Sequence, residues 1–406
     1  MGVQIPDFAE VIKAQKRLRG ITKVTSVERS KSFSDIIGCN IFLKLENLQS
    51  TGSFKIRGAY NKISMLSESE RQAGVVCASA GNHAQGVAYS ATKLGVKSTI
   101  FMPLSTPPLK VIATKAYGAN VMLSGNSYDD AYEAAKAYAE ENKATYIHAF
   151  NDPYIIAGQG TIGLEILDQL EGVEAILVPV GGGGLISGIA IAVKNIKPEI
   201  KVIGIEADGA QSMHESLAKG ELVNLTSSGT IADGIAVKKP GDITLATAQK
   251  YVDDVIVVND SEIAHALYLL LQRAKVLAEP SGVVGLAALM SGKLSLPGKN
   301  VVSVISGGNI NMGLLEQIIE KGMMDEGLRN RLQVLIPDRS GELKKVISIL
   351  ESSRVNIYDI VHERSVIQVP VGYVQVTITF NAQEYGQLEK ICSQLKENGM
   401  QYNVIQ

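Results

Sequence analysis

Short apolar, β-rich runs alternate with amphipathic helical stretches through roughly the first 310 residues of the chain. The runs Gly74–Ala78, Ser98–Met102, Asn120–Leu123, Ala175–Val180, Lys201–Glu206 and Asn300–Ser306 read as strands. Helical patterns such as Asp129–Glu141 and Ser261–Leu277 lie between them. The runs are nearly continuous in apolar residues rather than alternating. That pattern belongs to strands buried on both faces, as in parallel sheets covered by helices. The alternation therefore predicts an α/β fold with parallel sheets. At 406 residues and 46% hydrophobic, the chain can bury a large core and should hold more than one domain.

The texture changes at Lys321–Asn330, a polar stretch with charges of both signs that reads as a linker. Beyond it, Arg331–Ile336 is a short strand and Glu342–Ser352 a helix with Leu343, Val346, Ile349 and Leu350 on one face. Val355–Arg364 is extended, Tyr373–Phe380 alternates as a half-buried strand, Ala382–Asn398 is a second helix and Tyr402–Ile405 a last strand. The order β-α-β-β-α-β describes a small ferredoxin-like domain over residues 331–406.

The formal net charge of −2 gives no electrostatic reason to expect nucleic acid or an anionic membrane as partner. Cys39, Cys77 and Cys392 are far apart, with no C-x-x-C pair. That argues against zinc ribbons, dithiol redox chemistry and a disulfide framework, and fits a reducing compartment. No run reaches the 18 or so apolar residues of a membrane span, and the N-terminus lacks a basic and apolar leader pattern. A soluble cytoplasmic protein is expected.

Four segments carry chemistry. In Ser53-Phe54-Lys55-Ile56-Arg57-Gly58, a lysine follows small flexible residues and opens a helical pattern. A helix N-terminus disfavours its charged form, and a neutral lysine amine is a nucleophile that makes imines. Ser79-Ala80-Gly81-Asn82-His83, Gly181-Gly182-Gly183-Gly184-Leu185 and Ser306-Gly307-Gly308-Asn309 each follow an apolar strand and open a helix. Four successive glycines let backbone N–H groups converge on a phosphate, with the helix dipole adding positive potential. A P-loop would need Lys and Ser/Thr after the last glycine, where this chain has Leu185 and Ile186. The dinucleotide fingerprint also fails in spacing, although Glu206 imitates its ribose-binding acid and keeps that alternative open. A tight strand–helix turn is the plain structural reading. It does not require four glycines, which cost unfolded-state entropy, so phosphate is favoured.

A phosphate cradle beside an imine-forming lysine suggests pyridoxal 5′-phosphate (PLP). The four segments, in this order and at these separations, closely resemble those of the threonine ammonia-lyases (threonine dehydratases) of the fold-type II PLP enzymes. The likeness covers nearly all of residues 5–320. It implies a PLP-dependent catalytic domain over residues 1–320, its small lobe of about residues 46–150 inserted in the large one. The stretch 321–330 is then a linker. Residues 331–406 resemble a single ACT domain, a small-ligand regulatory module, on Asp338-Arg339-Ser340-Gly341-Glu342-Leu343 and Val355-Asn356-Ile357.

The resemblance implies roles residue by residue. Lys55 joins the cofactor through an imine and later takes the substrate Cα proton. Phe54 packs on the cofactor ring, and Asn82 bonds its 3′-oxygen. Ser79, Ala80, Gly81, Asn82 and His83 form the substrate-carboxylate loop, with no proton transfer assigned to His83. Gly181 to Gly184 and Leu185 bind the phosphate. Ser306 faces the pyridine nitrogen, and Gly234 and Asn309 shape the site. Gly341 and Asn356 border an effector pocket. The implied reaction converts L-threonine to 2-oxobutanoate and ammonia, and L-serine to pyruvate, in a homodimer or homotetramer under amino-acid or nucleotide control. Isoleucine supply and threonine breakdown both suit it.

Three other readings compete. Serine racemases look similar but carry a serine where this chain has Ala80, and a methyl cannot transfer protons. Other β-replacement chemistry and a silent amino-acid sensor are further alternatives; intact Lys55, Asn82 and Ser306 argue against the sensor. Racemase relatives also bind a divalent cation at positions matching Glu206, Ala210 and Ser212. Here Ser212 replaces a carboxylate, a hard cation wants several oxygen ligands, and no metal is predicted.

Overall fold

The computed structural model describes residues 4–364, 369–384 and 386–405. The chain forms two compact units, Met1–Ile310 and Asn311–Gln406.

The first unit holds two sheets. The larger has six strands in the order Val27–Arg29, Asn40–Leu45, Asn300–Ile305, Ala175–Pro179, Lys201–Ala207 and Asp254–Val258. All neighbours are parallel except the first pair, where Val27–Arg29 runs antiparallel to Asn40–Leu45. That three-residue edge strand carries too little apolar signal to be read from sequence. The smaller sheet is parallel throughout, in the order Asn120–Leu123, Ser98–Met102, Val75–Ala78 and Thr145–Tyr146. The chain leaves the large sheet at Leu45, builds the small sheet, and returns at Ala175.

Continuous apolarity and burial coincide in the inner strands, as the sequence predicts, but the strand Asn120–Leu123, at the edge of the small sheet, is mostly exposed. Every residue of Ala175–Pro179 and Ser98–Met102 is buried. On the large sheet, Leu185, Ile186, Ile189 and Val193 of the helix Gly184–Ile196 pack with Ile176, Val178, Val202, Val302 and Val304. One expected helix ends early. Ser261–Leu277 is α-helical only over Asp260–Leu269, followed by a π-turn Leu270–Ala274. Lys275 then takes a left-handed φ of 61°. The reversal leads the chain to Glu279 and Pro280, and a proline could not have continued the helix.

Two close approaches fix the helix Lys55–Ser64. A Cβ on Gly158, in the helix Pro153–Gln169, would lie 2.6 Å from the Arg57 carbonyl oxygen. A Cβ on Gly86, in the helix Asn82–Lys93, would lie 3.1 Å from the Lys55 carbonyl carbon. Beneath it runs a buried ionic network. Arg57 donates to Glu46 (2.8 Å to each oxygen) and to Glu165 (2.6 and 2.9 Å), and Lys44 donates to Glu165 (2.6 Å). The two carboxylates hold the Arg57 proton more tightly than usual despite burial.

The second unit is a four-stranded antiparallel sheet in the order Asn356–Glu363, Tyr373–Asn381, Arg329–Pro337 and Gln401–Ile405. Its helices Glu342–Ser352 and Gln387–Glu397 pack on it through Val346, Leu350, Ile391 and Leu395. This strand order is the ferredoxin-like one that ACT domains share. The polar stretch 321–330 contains the end of the helix Met312–Asp325 and the start of the strand at Arg329. No helix among the described residues is long and apolar enough to cross a membrane.

Candidate active site

The residues singled out from sequence in the first unit for catalysis or cofactor and substrate binding converge, whereas Glu206, Ala210 and Ser212 lie outside the cavity. Phe54, Lys55, Ser79 to His83, Gly181 to Leu185, Gly234, Ser306 and Asn309 line one cavity of about 1260 Å³. The strands Val75–Ala78, Ala175–Pro179 and Asn300–Ile305 each deliver a loop to it at their C-terminal ends, where open parallel sheets bind ligands.

Lys55 is the first residue of its helix. Its Nζ donates to the Ala149 carbonyl (3.1 Å) and sits 5.1 Å from the centre of the Phe54 ring. Burial lowers its pKa to about 8, with the Glu279 carboxylate opposing the shift. A sizeable fraction of this amine is therefore neutral near physiological pH, as a nucleophile requires.

The tetraglycine loop is glycine because its surroundings fill the space of side chains. A Cβ on Gly182 would lie 2.3 Å from the Phe150 ring, and one on Gly184 2.9 Å from the Phe150 Cα. Gly183 has φ +90° and faces Met213 and Thr244. The Thr244 hydroxyl donates to the Gly182 carbonyl (2.7 Å). The N–H groups of Gly181 to Leu185 find no acceptor among the described residues. Together with the helix dipole of Gly184–Ile196 they form a cradle for a phosphate.

The loop 79–83 opens the helix Asn82–Lys93. The Gly81 N–H donates to the Ser79 hydroxyl (3.2 Å). His83 is bonded through Nε2 to the Ile147 carbonyl (2.9 Å). Burial, aided by the Lys55 charge, lowers its pKa to about 3. It is a neutral ring that holds the loop. Asn82 donates from Nδ2 to both oxygens of Glu279 (2.9 Å each), leaving its Oδ1 buried and without a partner among the described residues. Gly234 sits in a short turn, where a Cβ would lie 2.6 Å from the Ser281 hydroxyl. Ser306 is buried, and its carbonyl accepts from the Phe54 N–H (3.1 Å).

Sequence reasoning missed Glu279 and His148 here, and with His148 the neighbouring Ala149 and Phe150. Glu279 lies in the turn after the shortened helix, accepts from the Asn309 N–H (3.2 Å), and is raised by burial to about 7. His148 accepts at Nδ1 from the N–H groups of Phe150 (3.2 Å) and Asn151 (2.9 Å), and burial lowers it to about 4. It thereby shapes the turn that presents Ala149 to Lys55 and Phe150 to the glycine loop. A two-residue strand, Thr145–Tyr146, precedes this turn and gave no apolar run to announce it.

Glu206 is fully buried and accepts from the N–H groups of Met213 (2.9 Å) and His214 (2.7 Å) at the start of the helix Ser212–Lys219. Burial raises it to about 8. Its observed work is that of a helix cap. Ala210 stands in an adjacent short turn. Among the described residues no group of three or more His, Cys, Asp or Glu could hold a metal. Gly341, with φ +93°, precedes the helix Glu342–Ser352, and Asn356 opens the strand Asn356–Glu363, both in the second unit.

A buried lysine with a depressed pKa, an acceptor-free glycine cradle and an orphaned amide oxygen in one cavity suit PLP. Residues 18–307 match the family model of pyridoxal-phosphate-dependent enzymes, and the chain belongs to that family. Within it, the chain belongs with the L-threonine ammonia-lyases. It is 46% identical to the L-threonine ammonia-lyase of Thermotoga maritima, over 98% of each chain. Among solved structures it resembles the processed threonine deaminase isoform 2 of Solanum lycopersicum, with a TM-score of 0.75 and 36% identity over 80% of this chain and 92% of that one. It also resembles maize serine racemase, with a TM-score of 0.74 and 38% identity over 80% and 100%.

Proposed function

We propose that this protein deaminates L-threonine to 2-oxobutanoate and ammonia, water being lost at Cβ and regained on hydrolysis, and that it converts L-serine to pyruvate in the same way. The observation that carries this reading is the buried, partly neutral Lys55 amine beside a backbone phosphate cradle. Bound PLP supplies an electron sink for the charge that develops at the substrate Cα.

The protein's residues do the rest. Gly181 to Leu185 hold the phosphate through backbone N–H groups. Ser79 and the N–H groups of the loop 79–83 hold the substrate carboxylate at a helix N-terminus. Lys55, freed when the substrate amine takes its place, accepts the Cα proton. Ser306 is assigned to the heterocycle nitrogen. A hydroxyl there leaves that nitrogen uncharged, a weaker sink than a carboxylate would create, which suits elimination over transamination. Ala80 lines the cavity with a methyl. No proton can be exchanged from that position, which disfavours racemisation.

The protein is proposed to work in the cytoplasm as a homodimer or homotetramer. Isoleucine or valine is proposed to shift its activity through the second unit, with Gly341 and Asn356 as pocket residues. Isoleucine supply and threonine breakdown are the two alternative roles that suit the product. The test is 2-oxo acid formation from L-threonine and L-serine by purified protein with PLP, with K55A as control. 2-Oxobutanoate from wild type and none from K55A supports the reading. A wild type that binds PLP but forms no 2-oxo acid overturns it.

A further inference from the structure

Glu279 is 3% exposed and lines the active cavity, yet none of the steps above uses it. It stands between two of the glycine-rich loops. Its oxygens accept both contacts from the Asn82 Nδ2 (2.9 Å each), and one of them also accepts from the Asn309 N–H (3.2 Å). The fit is tight, since a Cβ on Gly307 would lie 2.7 Å from its Oε1. Its own N–H donates to the Gly307 carbonyl (3.0 Å), so backbone and side chain tie it to the same loop.

Two consequences follow. An ionised carboxylate only accepts, so it dictates which end of the Asn82 amide faces it. The amide nitrogen is engaged, and the oxygen is the end left buried without a partner. The carboxylate is also a negative charge felt at Lys55, where it opposes the effect of burial. The charged and titratable groups facing Glu279 are Lys55, Asp233 and Lys110, and those facing Lys55 are Glu279, His83 and His148. Both histidines are held neutral, and the ionised fraction of Glu279 is the negative charge that favours protonation of the lysine nitrogen.

We propose that Glu279 is a positioning residue that locks the Asn82 amide in one orientation and sets how readily the Lys55 nitrogen holds a proton once it is joined to the cofactor. The proposal rests on PLP occupying this cavity.

The test is a pH titration of the visible absorbance of the purified holoenzyme, comparing wild type with E279Q and E279D. E279Q keeps the shape and removes the charge. Its midpoint should fall, because an opposite charge lining the same cavity favours the charged form of the lysine nitrogen. E279D keeps a carboxylate and should titrate closer to wild type than E279Q does. Should E279Q not fold, E279A keeps the backbone bonds of the turn, and its midpoint must fall as well. An unchanged midpoint in the charge-free variant, or an equal fall in E279D, overturns the proposal. A wild type with no visible band in the presence of PLP would instead sink the cofactor assignment on which it rests.

Discussion

The Phe150 ring occupies the space that a side chain at Gly182 would need, 2.3 Å from where its Cβ would stand. An aromatic from the turn after Tyr146 thus presses the tetraglycine loop into shape. G182A must displace either the ring or the loop. A displacement of about 1 Å at a binding loop costs on the order of a hundredfold in rate. The expected result for G182A is loss of the visible cofactor band and a kcat lower by about that factor. F150A opens the space, so the double variant should recover part of the band. No recovery would mean that the clash is not with the ring.

His148 should show its role through a conservative rescue. H148L removes the acceptor for the Phe150 and Asn151 N–H groups, whereas H148N can restore it with an amide oxygen. PLP affinity measured by absorbance should fall in H148L and return in H148N. Equal losses in both variants would contradict the hydrogen-bonding role.

The pH dependence of stability carries a sign. His83 and His148 have folded pKa values near 3 and 4, below the ordinary 6.5. Between those values the unfolded chain binds more protons, so their contribution weakens stability as pH falls from about 6.5 toward 4. Glu206 and Glu279, raised to about 8 and 7, pull the other way as pH rises through the same window. The informative quantity is therefore a difference. Relative to wild type, H148N should lose less stability on acidification, by up to about 1.4 kcal/mol per pH unit. Urea denaturation of the apoprotein at several pH values measures it.

The buried pairs of Arg57 should be costly to break. R57M leaves Glu46 at full burial without its cation, and removing one partner of a buried pair costs about 3–5 kcal/mol. Adding E46Q should recover part of that loss. Full stability in R57M, read by chemical denaturation at neutral pH, would rule out a stabilising role for the network.

Deleting residues 330–406 should abolish any response of the lyase activity to isoleucine or valine. An unchanged response in the truncated protein would remove regulation from the second unit.

Much of this was legible because it is local. Continuous apolar runs announced the parallel strands, and strand–loop–helix punctuation announced Lys55, Asn82, the four glycines and Ser306. Glu279 was not legible, because its position depends on a helix that stops early at Lys275 and on a contact with Asn82 almost two hundred residues away in sequence. His148 and Phe150 follow a strand too short to leave a pattern. Arg57 was visible inside the lysine motif, but its partners Glu46 and Glu165 come from separate elements that only the packed fold brings together.

PLP is an aldehyde, and a newly made chain offers it many amines. An ordinary lysine is neutral about once in a few thousand molecules at pH 7, whereas an amine with a pKa near 8 is neutral about once in ten. On the proposed function, the same burial that tunes Lys55 for chemistry addresses the cofactor to it. Lys44, buried as well, is sealed against Glu165 and offers no competing amine. Folding selects the attachment point before any substrate arrives.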